Sequence, residues 1–564
     1  MFRPDAPGSA APAFTAIPTP APAHAQAHPP RASAWLRGGG AVLLCAAVAG
    51  CATNRPPASV AVPTPAAWQT PAADPAGAPA AQGHRTPPTP GPTVGPTAGP
   101  IAAPPQAHGG DPAGLNAWWQ QWANPQLSEL MARAQAASPS VAAAATRMAQ
   151  AREALVASGA AATPSLQAQA GVGRSVAQVG LPAATQASAA LQVAWELDLF
   201  GGLAASTDAA RQRLQATQAQ WHDARVAVAA EVARQWVGWR TCTDVLAVVQ
   251  ADAQSRESVA RLMADRARVG LEAPGPAALA QASAAQGRMA TVQQQAACDS
   301  ARHALAALTQ TDAATLAANA NANANASTST STSTSTSTGT PASANPLPPT
   351  GGWAPALHLP QVLPAQALAQ RPDVWAAQRQ VAAASADVGV AQADRYPRLA
   401  LSGQIGRVGT RGAGGDGAVW SLGPLQISWP LLDGGRRASR VDTQRAAYDE
   451  AVVAYRATVQ QAVREVEQAL VALNSAAQRQ ADAATAVAGF DRALRAATDR
   501  HRAGLGSLLE LEDARRSALS ARLALTELDR DRLWAWVDLY RAYGGGWSVP
   551  ADGDAAPAPS VAAR

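Results

Sequence analysis

Two cysteines stand at equal distances from a glycine that is predicted to end a long helix. Cys242 precedes Gly270 by the same number of positions as Cys298 follows it. If the chain reverses at Gly270 and its two arms pack as antiparallel helices, the two sulfur atoms meet at one height. An oxidising compartment would then favour a disulfide, with two buried free thiols as the alternative.

A third cysteine follows a pattern typical of exported proteins. Arg37 precedes the apolar run Ala41–Ala49, which leads directly into Gly50-Cys51. A basic flank, a short apolar core and small residues before the cut indicate a signal peptide. The pattern resembles a lipobox, in which the cysteine is acylated, so we predict a lipid on Cys51 and no other cofactor. Ala52 is compatible with sorting to the outer membrane. The alternative is a chance apolar stretch that happens to end at Cys51.

Side chains that could perform catalysis are sparse. The chain has 8 histidines, and we find no His/Cys metal spacing, phosphate-binding glycine loop or Ser-His-Asp set in a plausible context. His222 and His501 fall on long predicted helices, where we expect solvated side chains. A net charge of +5 on 564 residues, without a basic and aromatic cluster, argues against nucleic-acid binding.

The elements that position these residues occur twice. Landmarks recur at a nearly constant offset, among them Arg268-Val-Gly270-Leu271, which returns as Arg502-Ala-Gly504-Leu505. In both halves a Gly-Gly pair precedes a long helical pattern. The stretch from Gly202 to Gly270 and the stretch from Gly435 to Gly504 are almost equal in length. As helix, each would be roughly 100 Å long.

Before each Gly-Gly pair, apolar and polar residues alternate with the period of a strand. The four segments are Leu166–Ala170, Leu191–Leu199, Leu399–Ile405 and Leu425–Trp429. Alternation fits a half-buried strand, and it also fits an outer-membrane barrel with apolar residues towards lipid. Four strands cannot close a membrane barrel, and open edges cannot face lipid. If these strands enter a membrane, several chains must share one barrel.

Helical periodicity fills the remainder of each half. A heptad seam runs from Tyr448 to Leu473. The expected loops are Gly173–Gln186 and Thr410–Gly417. The expected shorter helices are Leu127–Ala137, Ser140–Gly159, Leu363–Gln370 and Asp373–Ala393, and the return helices are Leu279–Leu308 and Leu508–Tyr543.

Composition completes the division of the chain. We predict a signal peptide with an extended lead over 1–50, a disordered Pro/Ala-rich lipoprotein linker over 51–113, and a first repeat over 114–311. A low-complexity insert over 312–350 separates it from a second repeat over 351–547, and 548–564 forms a disordered tail.

The repeat unit, the run Arg502–Arg516 and the closing Leu539-Tyr-Arg-Ala-Tyr-Gly-Gly-Gly-Trp547 resemble the TolC-like outer-membrane efflux family. The likeness is in particular to its lipid-anchored, nodulation protein T-like branch, which serves tripartite resistance-nodulation-division pumps. The resemblance implies a mainly α fold with a small membrane β-barrel. Three chains would form a twelve-stranded barrel on a twelve-helix periplasmic tunnel, with the shorter helices as a belt. Such a homotrimer is a passive duct for small molecules and not an enzyme. Its partners are a periplasmic adaptor and an inner-membrane efflux transporter.

The resemblance also implies roles for residues near the two glycine turns. It places a periplasmic gate at Leu509, Asp513 and Arg516, with Glu510 and Glu512 beside it. The alternative is a solvated acidic face neutralised by Arg515 and Arg516. The resemblance further places adaptor contacts at the two turns: Val269, Gly270, Leu271, Ala503, Gly504 and Leu505. Pro274-Gly-Pro276 has no counterpart in the second half, so we expect a bulkier, kinked first tip.

Two other functions remain open at this stage. One is a lipid-anchored periplasmic coiled-coil scaffold without a pore. The other is an outer-membrane duct for type I protein secretion or metal efflux. The cysteine pair lies only in the first half, so we expect this half to be the fixed wall of the duct. The predicted gate residues lie only in the second half, so we expect that half to move as the gate.

Overall fold

A computed structural model describes residues 54–65, 68–70, 119, 122, 124–175, 183–316, 318, 368, 371–411 and 416–547. The helices are α1 (Pro125–Ala137), α2 (Pro139–Ala160), α3 (Gly202–Arg268), α4 (Pro274–Thr309), α5 (Pro372–Ala393), α6 (Arg436–Arg502) and α7 (Leu508–Ala542). The strands are β1 (Ser165–Ser175), β2 (Ala184–Leu197), β3 (Arg398–Arg411) and β4 (Asp416–Ser428). The expectation of a mainly α fold is confirmed, and the predicted strands form a small antiparallel sheet. Cys51 and most of the predicted helix Leu363–Gln370 lie outside the described residues.

The two long helices begin by the same device in both halves. α3 and α6 each contain 67 residues, a length of about 100 Å. Gly201 and Gly435 precede them in the left-handed conformation, with φ of +72° and +87°. The Asp198 carboxylate accepts a hydrogen bond from the Ala204 amide, and Asp433 accepts from the Arg437 amide. The repeated Asp and Gly-Gly therefore satisfy the free amides of a helix start.

The four strands form one antiparallel sheet in the order β1-β2-β3-β4. Leu401 of β3 lies opposite Trp195 of β2 and Leu425 of β4. Because directly opposed residues share a face, these rows make one face of the sheet apolar. Gln192 and Gln404 oppose each other on the other face. Within the described ranges, no helix combines the length and the apolar character of a membrane span.

An irregularity in β4 keeps the apolar face continuous. The pairing register shifts between Leu401 and Gly403 of β3, opposite Leu422 and Leu425. Before the shift, Trp420 and Leu422 occupy even positions, and after it Leu425 and Ile427 occupy odd ones. An extra residue in one strand exchanges the faces to which odd and even residues point. All four side chains consequently lie on the same face.

The strands are longer than the sequence predicted. Their ends reach Ser175 and Ala184 in the first half, and Arg411 and Asp416 in the second. The expected loops Gly173–Gln186 and Thr410–Gly417 are thus too long, since Gly and Ala residues there still pair in register.

The shorter helices do not all form a belt. α2 and α5 end just before β1 and β3, and they lie along the sheet-side portion of the long helices. Arg213 of α3 forms an ion pair with Asp387 of α5 near that end. Of the described shorter helices, only α1 lies beside the middle of α3, where the Gln135 side chain accepts a hydrogen bond of 3.1 Å from Arg225. The expectation that both pairs of shorter helices form a belt is therefore wrong for α2 and α5, because each of these helices leads directly into a strand of the sheet.

An aromatic cluster fills the core at the middle of the molecule. The Trp119 ring lies 4.7 Å from Tyr540 and 5.8 Å from Trp536, and Trp122 lies 5.9 Å from Trp236. These rings join α3 and α7 to the residues that precede α1. Four heptad residues of α6 pack into the same cluster: Val459, Val466, Ala469 and Leu473. Leu316 and Leu368, which lie between α4 and α5 in sequence, are buried there as well.

His222 is buried, contrary to the expectation of a solvated side chain. Its imidazole packs against Trp221 and lies 6.1 Å from the Trp547 ring. Burial and then the nearby Arg225 charge lower its pKa to about 4, because both disfavour the imidazolium. His222 is therefore a neutral core residue at neutral pH.

Part of the predicted disordered linker is ordered. Residues 54–65 form no helix or strand and lie along α5 and α6. The carbonyl oxygen of Pro56 accepts a hydrogen bond from Ser385 at 2.6 Å, and that of Pro57 accepts one from Tyr448 at 2.9 Å. Farther along, the Glu467 carboxylate accepts from the Gln69 amide at 2.7 Å. The expectation of disorder over 51–113 is wrong for 54–65 and 68–70, because helix side chains satisfy the backbone that a proline-rich segment cannot pair by itself.

Cys242 of α3 and Cys298 of α4 form a disulfide, with their Cα atoms 5.5 Å apart. The two cysteines are 56 positions apart in sequence, and the loop that they close contains the first hairpin turn. α6 and α7 contain no cysteine. The first hairpin is therefore covalently braced, whereas the second is held by noncovalent contacts.

We expect the Cys242→Ser/Cys298→Ser variant to lose roughly 4 kcal/mol of unfolding free energy, the chain-entropy value for a loop of this size. Denaturant titration under non-reducing conditions measures the loss, with reduced parent protein as the matched control. Non-reducing peptide mapping should find the two peptides linked. Recovery of both cysteines as alkylated free thiols would contradict the bridge.

Candidate gate and docking site at the helix tips

The two hairpin turns share one backbone geometry. Gly270 and Gly504 both have φ of +76°. In the first turn, the Leu271 amide donates to the Arg266 carbonyl at 2.8 Å, and in the second the Leu505 amide donates to the Arg500 carbonyl at the same distance. This six-residue closure around a left-handed glycine is the Schellman helix ending. The repeated Arg-x-Gly-Leu sequence therefore encodes two equivalent turns.

Each turn leaves a leucine in solvent. Leu271 is 72% exposed and Leu505 is 74% exposed. In a Schellman ending, this position commonly packs on the last helical turn, but here the corresponding partners are Arg266 and Arg500. Val269 is also exposed, as are Ala503 and the two glycines. The predicted docking residues thus form two small apolar tips.

The first tip is not kinked by its prolines. α4 begins at Pro274, directly after the helix cap Ala273, which is earlier than the predicted start at Leu279. Proline fits the first turn of a helix because its missing amide has no partner there. Pro274 and Pro276 therefore start the return helix, and the expectation of a bulkier first tip is wrong.

The predicted gate residues lie together on the free face of α7. Leu509 is exposed, and the side chains of Asp513 and Arg516 are each 61% exposed and form an ion pair with each other. Ser507 caps this helix, because its hydroxyl oxygen accepts a hydrogen bond of 3.1 Å from the Glu510 amide. Glu510 itself pairs with Arg500 across the turn at 2.7 Å. Leu509, Asp513 and Arg516 therefore share one surface that nothing in the described chain covers.

The opposite face of α7 carries a charge cluster that the sequence analysis missed. Arg256 of α3 donates to Asp252 at 2.6 Å and to Ser283 of α4 at 2.9 Å. Ser283 donates in turn to Glu512 of α7 at 2.8 Å. Arg515 pairs with Glu512 and donates to Ser255 at 3.1 Å. We call Asp252, Arg256, Ser283, Glu512 and Arg515 the tip cluster.

The tip cluster is buried and balanced in charge. Glu512 and Asp252 are each 5% exposed, and Arg256 and Arg515 are nearly as enclosed. Two carboxylates face two guanidinium groups. Burial raises the pKa of Asp252 and lowers that of Arg515. The loss of hydration therefore disfavours the charged form of both groups, even though each has ion-pair partners. Arg515 is not the solvated counter-ion that the alternative interpretation assumed, and Glu512 faces the protomer interior.

A sequence signal for the tip cluster does exist. Asp252 and Arg256 are four residues apart, and Glu512 and Arg515 are three apart, so each pair lies on one side of its helix. The same sides carry Ala260, Met263, Leu508 and Leu511, which are buried together beside the cluster. Charged pairs within an apolar seam could have indicated a buried network, but the pairing between helices required the hairpin geometry.

A four-stranded sheet with one apolar and one polar face, joined to two very long helical hairpins, defines a component of an outer-membrane channel. The model of the outer membrane efflux protein family matches residues 130–311 and 363–545. The chain belongs to the outer membrane efflux protein family, and its helices extend from the outer membrane into the periplasm.

Individual relatives support the assignment. The outer membrane protein OprJ of Pseudomonas aeruginosa is 31% identical over 366 residues, which cover 63% of this chain and 68% of OprJ. The solvent efflux pump outer membrane protein SrpC of Pseudomonas putida is 26% identical over 370 residues, 65% of this chain and 72% of SrpC. The structure of the outer-membrane channel OprN superposes with a TM-score of 0.64 at 25% identity, covering 80% of this chain and 99% of that channel.

We expect Glu512→Ala to destabilise the tip by about 3–5 kcal/mol, because it leaves buried guanidinium groups without their carboxylate. The neighbouring Glu510→Ala removes only an exposed pair and should cost less than about 1 kcal/mol. Amide hydrogen exchange of α3, α4 and α7 measures the local loss. Equal effects of the two substitutions would show that the tip cluster does not anchor α7.

Proposed function

We propose that three copies of this chain form a passive efflux duct through the outer membrane and across the periplasm. The observation that carries the proposal is the sheet. β1 pairs only with β2 and β4 only with β3 among the described residues, which leaves two open edges on a sheet with an apolar face. Open edges cannot stand in lipid, and three copies would supply twelve strands in a closed barrel.

The helical hairpins would then complete a periplasmic tunnel. Two hairpins per chain give three chains twelve helices around one axis. Small molecules such as drugs and toxic compounds would be delivered by an inner-membrane pump through a periplasmic adaptor. Resemblance to the solvent efflux pump protein SrpC and to the toluene efflux pump protein TtgI supports small-molecule export. A covalent lipid on Cys51 would add a second membrane attachment.

The tips supply the docking and gating surfaces. Leu271 and Leu505 present equivalent apolar contacts that suit the adaptor, and the shared turn geometry favours docking at both hairpins of a chain. Leu509 and Asp513 lie four residues apart on the uncovered face of α7, which is where a constriction around the trimer axis would form. Arg516 sets the charge of that ring by pairing with Asp513.

We expect purified protein to run as a heat-resistant trimer in detergent and to conduct ions in a planar bilayer. These results separate the duct from a lipid-anchored coiled-coil scaffold, which would show neither. A matched glycine pair tests the sheet. Gly406→Val places a Cβ atom in steric overlap with the Ala189 carbonyl of β2, and it should abolish both properties. Gly173→Val meets no atom within 4 Å and should retain them.

We expect Asp513→Ala to raise single-channel conductance severalfold by opening the Asp513–Arg516 ring. Asp265→Ala is the matched control, because Asp265 pairs with Arg268 at the same spacing on the other hairpin. Single-channel recording measures both. Unchanged conductance in Asp513→Ala, or an equal rise in the control, would remove Asp513 from the gate.

A further inference from the structure

Three arginines share one face of the sheet near its helix-distal end. Arg411 of β3 lies opposite Thr185 of β2, and Thr185 lies opposite Arg174 of β1. Arg407 precedes Arg411 by four residues on the same strand and lies opposite Ala189. Since side chains alternate along a strand with a period of two, all three arginines point to one side of the sheet. We call Arg174, Arg407 and Arg411 the arginine triad.

The triad lies on the apolar face. On β3 the apolar residues Leu399, Leu401 and Ile405 occupy odd positions, and the two arginines continue the same odd series. The polar Gln404 points to the opposite side. Under the proposed function the apolar face meets lipid, so the triad is directed away from the lumen.

The triad stands where the apolar band ends. β3 begins at Arg398, shortly after the end of α5. The distance along the strand from Leu399 to Ile405 is about 20 Å, at roughly 3.3 Å per residue. Trp420, which is 76% exposed, lies opposite Ile405, and this pair is the last row of large apolar side chains on β3 and β4. Arg407 follows about 7 Å farther along the strand and Arg411 about 20 Å farther. Because barrel strands tilt by about 35–45°, Arg407 lies roughly 20 Å in height above Leu399 and Arg411 roughly 30 Å. The hydrocarbon band of an outer-membrane barrel is about 25 Å tall, so the triad spans its upper edge, where the headgroups of the outer leaflet begin.

The surface around Arg407 has room for a ligand. A groove of about 430 Å³ lies beside it. Its larger lining residues on this face are Val172, Arg407 and Asp416, and its small ones are Ala170, Ala187, Ala189 and Gly409. Asp416 lies opposite Gly409 on the same face. Three guanidinium groups and one carboxylate leave a net positive surface. In contrast, Arg398 at the helix end of β3 pairs with Asp394 at 2.6 Å.

The geometry points to a binding site for a phosphorylated glycolipid of the outer leaflet, the lipid A of lipopolysaccharide. This inference rests on the proposed function, because it requires the apolar face to meet the membrane. Guanidinium groups bind phosphate oxygens through paired, charge-assisted hydrogen bonds. Phosphates at the boundary between sugar and acyl chains would meet the triad, and the alanine-lined groove would receive an acyl chain.

Binding of diphosphorylated lipid A to the purified full-length trimer tests the site, with native mass spectrometry as the readout. Dephosphorylated lipid A and phosphatidylglycerol are the comparison probes. We expect the parent to bind diphosphorylated lipid A at least about tenfold more tightly than either, the effect of one or more charge-assisted contacts. Equal binding of dephosphorylated lipid A or of phosphatidylglycerol would overturn the inference.

Variants locate the effect. Replacing the triad with glutamine should cost at least about tenfold in affinity for diphosphorylated lipid A, and Arg407→Gln alone should lower it measurably. A control removes the same charge near the helix end of the sheet, where binding should stay unchanged: Arg395→Gln, Arg436→Gln and Arg445→Gln. Equal loss in the control would overturn the site.

Trimer stability and conductance are measured on every variant. Failure of the parent to form conducting trimers would contradict the proposed function. Conducting trimers that bind lipid A without regard to its phosphates would contradict the lipid site alone. If the triple variant does not assemble, Arg407→Gln decides the outcome.

Discussion

The open hydrogen-bonding edges of the small sheet are the constraint on which the architecture depends. Every backbone amide and carbonyl left unpaired in hydrocarbon costs several kcal/mol, and β1 and β4 each present a full edge. The four strands of the described ranges are too few to remove them. In the proposed trimer, the duplicated strand pair, the register shift in β4 and the apolar rows would all serve a surface that other copies complete. The long helices would then extend the same symmetry from the sheet to the tips.

α7 meets two opposite demands at the tip. Its inner face is held by Glu512 and Arg515 in the tip cluster, which ties it to both helices of the first hairpin. Its outer face leaves Leu509 and Asp513 uncovered. Two carboxylates on the same turn of α7 therefore have different environments. Glu512 is buried and held by ion pairs, whereas the adjacent Asp513 is exposed. The disulfide braces the first hairpin, and the tip cluster fastens α7, which carries the predicted gate residues, to that hairpin.

Much of the fold could be predicted because periodicity and glycine placement are local signals. The equal spacing of Cys242 and Cys298 about Gly270 located both the turn and the bridge, and the heptad residues after Tyr448 located the buried side of α6. The remainder depended on partners distant in sequence. Pro56 and Pro57 are ordered by side chains of α5 and α6, from the other half of the chain, and Glu512 is buried because α3 and α4 supply its partners. The gate residues came from family resemblance, since no local pattern separates Asp513 from its acidic neighbours.

The described residues on either side of the junction between the halves lie in one cluster. Leu316 and Leu368 are both buried in the central core, so core packing fixes the two points that the connection must join. For a chain between two fixed points, doubling the length costs only about 0.6 kcal/mol of closure entropy. A change in the number of Ala-Asn and Ser-Thr dipeptides in the sequence between these points should therefore cost the folded halves little. This junction is therefore a site where evolution can vary the chain, and where a reporter sequence could be inserted, while both halves keep their packing.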